Sequence, residues 1–275
     1  MEANLSYIRA LKPPFNTLWF EDHLQWGDIA VLESWTTLTT MATLFPELLA
    51  GTLVLCQSFR IPAHLAKMAA SLQTITDGHL IVGIGAGWKE DEYLSYGYDY
   101  PSPKVRLEQL EEIAIILKKM WHESPSTFHG KHFSIEGAYC EPRPNPIPPL
   151  MIGGVGEKVT LKLVAKYADW MNLLFADLTT FIEKDQILRR HCDQVGRDPA
   201  TITRTLYAYV FVTPDGQKPA PHSGNKYIIY GKPKQVTEQV VGFIEAGVEY
   251  FMLRFLDFPS HEGLALFQDE VIPNL

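Results

Sequence analysis

The sequence predicts an α/β fold of the TIM (β/α)8-type barrel class, lacking the first strand, and three observations carry that prediction. From Asn16 onward, short β-branched or aliphatic runs alternate with longer stretches of helical period, the signature of parallel strands joined by crossover helices. A chain of 275 residues with 46% apolar content can bury one barrel-sized core. No repeat of fixed period and no low-complexity tract divides it, so residues 1–275 read as a single domain.

Seven strands follow in order: Thr17–Phe20, 51–56, 80–84, Leu150–Gly153, 170–175, Thr203–Val212 and Tyr250–Phe255. Before Asn16 there is room for part of a helix, with Leu5, Ile8 and Leu11 on one face, but not for a preceding strand. A closed barrel normally needs eight strands, because an open parallel sheet exposes an edge. The gap therefore reflects where the chain starts, or is filled by another segment or subunit. After the second strand Pro62 begins a helix carrying Leu65, Met68, Ala69, Leu72 and Ile75 on one face, and Gly78 stops it. Ser102 and Pro103, a cap followed by a first-turn proline, open another with Leu107, Leu110, Ile113, Leu117 and Trp121 inward. The stretch 126–135 reads as a hairpin around His129 and Gly130, and the proline-rich 141–149 as an extended, polyproline-like connector. The loop 214–225, rich in Gly, Pro and Ser, reads either as a lid at the barrel mouth or as a plain mobile loop. A last helix over 233–246 ends at Gly247, placed for a left-handed stop.

The charge balance excludes some partners. A net charge of -8 without any basic run offers little to nucleic acid or to an anionic membrane. Cys56, Cys140 and Cys192 are odd in number and form no CxxC pair, which excludes a disulfide framework or zinc knuckle and fits a reducing cytoplasm. The opening MEANLSYIRALKPP has no secretory pattern, and no window approaches 18 uninterrupted apolar residues.

In a barrel the C-terminal strand ends share the face where substrates bind, and four of them carry unusual residues. Alternation sends Asp22 and His23 to opposite sides, so at most one points into the mouth. A histidine there can exchange a proton near neutral pH, or it is simply satisfied by Asp22 or a carbonyl. Gln57 and Ser58 follow the second strand and can hydrogen-bond a heterocyclic ring edge, or can form an ordinary exit loop. In GIGAGW the glycines, Gly85 and Gly87 among them, let backbone approach a flat ligand or turn a tight corner. Trp88 stands where a dinucleotide fingerprint needs glycine, so that reading is weak. The run Gly153, Gly154, Val155, Gly156, Glu157 enters a helix with Leu161, Val164 and Ala168 on one face, an arrangement that seats an anion. It lacks the ending of an NTPase loop. The histidines show no paired metal spacing, which leaves a metal hydrolase barrel as a rival and predicts no metal.

The segments WFEDHLQW, GTLVLCQSFRIPAHLAKMAASL, GIGAGWKEDEYLSYGYDYPSP and MIGGVGEKVTLKLVAKYADWMN, in that order, resemble the luciferase-like monooxygenase superfamily, specifically its coenzyme F-420-dependent oxidoreductase branch. The resemblance implies that His23 handles a proton beside the reactive ring and that Trp26 lines the same pocket. It implies a non-proline cis peptide joining Leu53 and Val54 behind the deazaflavin, ring contacts from Gln57 and Ser58, and a phosphate turn of Gly153, Gly154, Gly156 and Glu157. Relatives that oxidise a sugar phosphate carry glutamate where Trp88 stands, so Trp88 implies an apolar or aromatic substrate surface instead. The reaction so implied is hydride transfer between a small organic substrate and F-420. The alternatives are an FMN monooxygenase fed by a partner reductase, and a non-catalytic flavin-binding protein. The resemblance further implies a homodimer.

Overall fold

The computed structural model describes residues 2–220 and 226–275. In chain order the elements are α1 (Glu2–Arg9), β1 (Thr17–Phe20), α2 (Ser34–Leu44), β2 (Leu49–Thr52), β3 (Leu55–Cys56), α3 (Pro62–Ile75), β4 (Leu80–Gly85), α4 (Glu90–Ser95) and α5 (Pro103–His122). They continue with β5 (Ser126–His129), β6 (Ser134–Ala138), β7 (Leu150–Gly153), α6 (Thr160–Tyr167), β8 (Trp170–Leu174) and α7 (Leu178–Val195). The last are β9 (Thr203–Val212), β10 (Ile228–Gly231), α8 (Pro233–Glu245), β11 (Tyr250–Phe255) and α9 (Glu262–Leu266). These group into two compact units: one of Asn16–Met171 and His191–Ile202, the other of the chain up to Phe15 with Asn172–Arg190 and Thr203–Leu275.

In the first unit β1, β2, β4 and β7 pair side by side, all parallel, with Phe20 opposite Thr52, Gly51 opposite Ile81 and Ile84 opposite Ile152. Parallel register brings the C-terminal ends of these strands to one edge of the sheet. Trp19 needs a glycine opposite it: a Cβ on Gly51 would lie 2.2 Å from the indole, so the ring rests directly on the neighbouring backbone. The segment expected as one strand over 51–56 is two, β2 and β3, because the peptide between Leu53 and Val54 is cis and takes the chain out of the ladder. β3 then rejoins the sheet with Cys56 opposite Gly85. Across the gap the Thr52 hydroxyl accepts from Gly83 N at 2.7 Å and donates to Gly83 O at 2.8 Å, replacing a ladder link. Behind the sheet α3 and α5 pack together, and the buried indole of Trp121 donates to Ala66 O at 3.1 Å.

In the other unit β9 lies between β10 and β11, again in parallel, with Ile228 opposite Tyr209 and Tyr250 opposite Thr205. The residues before Asn16 form a helix rather than a strand and pack inside this unit. Tyr7 meets the rings of Phe255, Phe258 and His261, and Phe15 meets Phe255 and Phe267. The side chain of Gln268 accepts from Lys12 N and donates to Ala10 O.

Helix starts at Pro62 and Pro103 fall where the sequence places them, and Gly78 and Gly247 adopt φ +91° and +103° as left-handed stops. Three readings need correction. The hairpin of β5 and β6 runs on to Ala138. The connector 141–149 has cis bonds before Pro142 and Pro146 and is not a continuous polyproline helix. The strand expected over 170–175 ends at Leu174, where Phe175 turns to φ +52°. Of the loop 214–225, residues 221–225 lie outside the described residues.

Candidate active site

The strand end after β1 divides its two polar residues as the alternation requires. Asp22 turns inward and is buried; its carboxylate accepts from Cys56 N at 2.8 Å and from both terminal nitrogens of Arg60 at 2.8 and 3.0 Å. Arg60 also donates to Glu33, whose carboxylate caps α2 through the amides of Trp35 and Thr36. This clamp ties the loops after β1 and β3 together and commits both Asp22 oxygens to protein donors.

His23 turns the other way. Its partner is neither Asp22 nor a carbonyl but Glu92, from α4: Nδ1 lies 3.1 Å from each carboxylate oxygen. The same carboxylate accepts from the amides of Leu24 and Gln25, and it is only 2% exposed. Two indoles flank the imidazole. Trp26 stands edge-on at 4.8 Å and Trp88 at 6.1 Å, the two indoles being 6.0 Å apart. Both are large apolar rings left open to solvent, Trp26 at 41% and Trp88 at 64% exposure. Exposed aromatics gathered around one histidine are a candidate binding surface rather than a core. Lys89 lies over the Trp26 ring at 5.4 Å and pairs with Asp91.

At the cis bond Val54 fills a cradle made of glycines. A Cβ on Gly85 would come within 2.6 Å of Val54 and one on Gly153 within 2.9 Å, while one on Gly83 would meet Thr52 O at 2.1 Å. Gly87, at φ +72°, is packed against Tyr93 Oη and Cys56 Sγ. The side of these glycines that a Cβ would occupy is therefore taken by protein, and packing is enough to require them. Burial pushes the Cys56 thiol up, despite its hydrogen bond with Tyr93. Gln57 is 2% exposed and spends its amide nitrogen on Ser58 and on Gln109 at 3.0 Å, so it holds Ser58 rather than projecting into open space. Its Oε1 is buried without a partner among the described residues.

The turn after β7 is exposed from Val155 through Val159, with Gly154 at φ +135°. Gly154 and Gly156 back onto Thr160. The helix begins only at Thr160, later than the sequence suggested, and its cap residue Val159 supplies no side-chain acceptor. An uncapped helix start behind an exposed glycine turn suits a phosphate. His191 approaches the Glu157 carbonyl at 2.7 Å. The structure thus brings His23, Trp26 and Trp88 into contact with one another, and Val54 with Gly85 and Gly153. It sets both groups and the turn at one edge of the parallel sheet. Glu92 escaped the sequence reading because an acid in the run KEDE looks like a solvated helix face.

No group of three potential metal ligands exists among the described residues, and no described helix is long and apolar enough to cross a membrane.

Residues 14–218 match the luciferase-like monooxygenase family. The chain is 20% identical to an F-420-dependent glucose-6-phosphate dehydrogenase of Microbacterium testaceum over 95% of its own length and 89% of the relative's. It is 29% identical to the pyrimidine monooxygenase RutA of Acinetobacter baylyi, over 51% of this chain and 39% of that one. Among solved structures, an F-420-dependent secondary alcohol dehydrogenase in complex with an F-420–acetone adduct superposes with a TM-score of 0.84 at 21% identity, covering 99% of this chain and 93% of that one. The fold is accordingly the TIM-barrel type of the luciferase-like enzymes, with the first strand absent or partial. By fold and by sequence, the chain belongs to the luciferase-like monooxygenase family.

Proposed function

We propose that this protein transfers a hydride between a small organic substrate and bound coenzyme F-420, with His23 exchanging the accompanying proton. The observation that carries this reading is the group of His23, Trp26 and Trp88, a proton-exchanging side chain set between two exposed indoles at the strand-end edge. The deazaflavin, when bound, would supply the hydride acceptor or donor. The residues present fit it: Val54 at the cis bond offers an apolar back wall, and the uncapped turn 154–159 seats a phosphate. Gly153, Gly154, Gly156 and Glu157 would hold that phosphate, with Ser58, Gly85 and Gly87 nearer the ring. In alcohol oxidation the hydride leaves carbon and the hydroxyl proton passes to His23, giving a carbonyl; the reverse direction returns the proton. Trp88, where glutamate would accompany a sugar substrate, favours an apolar or aromatic one.

A second reading, oxygenation with reduced FMN delivered by a partner reductase, is favoured by the identity to the pyrimidine monooxygenase. Titrating each coenzyme into the protein and following fluorescence quenching separates the two. Saturable binding of F-420 with weaker or no binding of FMN is expected; tight FMN binding with none for F-420 reverses the assignment. If either binds stably without turnover, and His23→Ala leaves that binding unaltered, the protein is a flavin-binding protein rather than an enzyme. We further read the chain as one domain, since each unit draws on discontiguous segments. We place it in the cytoplasm, where its three free cysteines stay reduced, and as a homodimer, for which light scattering is the check.

A further inference from the structure

We propose that Glu92 is a positioning residue that fixes the neutral imidazole of His23 in its Nδ1–H form, so that Nε2 is the atom offered to the proton being transferred. The inference rests on the assignment of proton exchange to His23. Three nitrogen atoms converge on one carboxylate. Oε1 of Glu92 accepts from Leu24 N at 3.1 Å and from Gln25 N at 3.2 Å, both unambiguous donors. The imidazole Nδ1 lies 3.1 Å from Oε1 and 3.1 Å from Oε2. An ionised carboxylate has no proton to give, so a neutral ring can bond to it only by donating Nδ1–H. The other nitrogen must then carry the lone pair. Nε2 has no hydrogen-bond partner among the described residues, and the ring it belongs to is 19% exposed between Trp26 and Trp88.

The arrangement is also rigid. Glu92 is 2% exposed, and its two backbone partners are the residues immediately after His23, so one carboxylate sets both the loop and the ring. A glutamine in its place keeps the geometry but inverts the chemistry. Its carbonyl oxygen continues to accept from Leu24 and Gln25, and its NH2, at the place of Oε2 3.1 Å from Nδ1, donates to that nitrogen, which then accepts. The proton moves to Nε2, and the base is switched off without removing the histidine. The same inversion in a Ser-His-Asp triad costs about four orders of magnitude in turnover.

The test is long-range proton–nitrogen correlation NMR on protein labelled at histidine nitrogens, above neutral pH, with His23→Asn used to assign the signal. In the unmodified protein we expect the Nδ1–H pattern for His23; an Nε2–H pattern overturns the proposal with no variant needed. In Glu92→Gln we expect the pattern to switch to Nε2–H, and an unchanged pattern also overturns it. A merely structural role for Glu92 would alter stability but leave the tautomer alone. Adding F-420 to the same samples separates this proposal from the one beneath it. Expected is a shift of the His23 signals; intact tautomer results with no response to F-420 would remove the coenzyme assignment and leave the role of Glu92 standing.

Discussion

Replacing Asp22 by alanine is predicted to unfold the protein far more readily while the neighbouring change His23→Ala does not. Asp22 is fully buried through its side chain, and Arg60 is 11% exposed, so their ion pair lies out of water. The substitution removes two charge-assisted bonds from Arg60 and strands the Cys56 amide. Breaking a buried pair from one side costs about 3–5 kcal/mol, chiefly because the remaining charge is left desolvated. Arg60 keeps Glu33 at 2.7 Å, but that carboxylate is 42% exposed and offsets little, so the expected loss is at least about 3 kcal/mol. At about 2 °C per kcal/mol for a chain of this size, the melting temperature falls by roughly 6 °C or more. His23→Ala removes one of several donors to Glu92 and costs about 1 kcal/mol or less. Urea denaturation followed by circular dichroism gives both numbers. A loss below about 1 kcal/mol for Asp22→Ala, or equal losses for the two variants, would refute the division of labour between these adjacent residues.

Other outcomes follow from the same geometry. Gly85→Ala drives a methyl to within 2.6 Å of Val54 and should cost about 1–3 kcal/mol of overpacking, measured by the same denaturation; a neutral result would mean that Val54 is not held in its cradle. Trp88→Ala, at a residue 64% exposed, should leave stability within about 0.5 kcal/mol while weakening the binding of an aromatic probe followed by tryptophan fluorescence. Lys131 and His132 hold the Glu108 carboxyl down to about 2, against an ordinary 4.5. A carboxyl depressed on folding stabilises above its unfolded value and loses that contribution as pH falls, here between 4.5 and about 2. Protection of the β5–β6 hairpin amides, taken relative to intrinsic exchange at each pH, should therefore fall through that window, and Glu108→Gln should remove that pH dependence; an identical acid limb in the variant would contradict the assignment.

Much of the fold was legible because its signals are local. Thr17–Phe20, Leu150–Gly153, Thr203–Val212 and Tyr250–Phe255 are bounded as their apolar runs predict, and Pro62, Pro103 and Gly247 mark helix ends by backbone chemistry alone. What escaped is set by tertiary context. α2 is rich in β-branched threonine, a weak helix former, and its hydroxyls of Thr37, Thr40 and Thr43 bond back to carbonyls one turn earlier. β10 is four residues long and takes its identity from pairing with β9. In the site, the opposite facing of Asp22 and His23 follows from strand alternation. The partner of His23 does not, because Glu92 lies on a short helix 69 positions away and only folding brings it there. The glycines of GIGAGW suit either the approach of a flat ligand or a tight corner by sequence alone; Val54, Tyr93 and Cys56 occupy the side of Gly85 and Gly87 that a side chain would take.

Soaking a crystal with F-420 shows where the coenzyme binds. The deazaflavin ring is expected against Val54, with the imidazole of His23 at its edge and the phosphate on the amides of residues 154–158. Density for the coenzyme away from His23, or a ring placed with its phosphate far from that turn, would contradict this assignment.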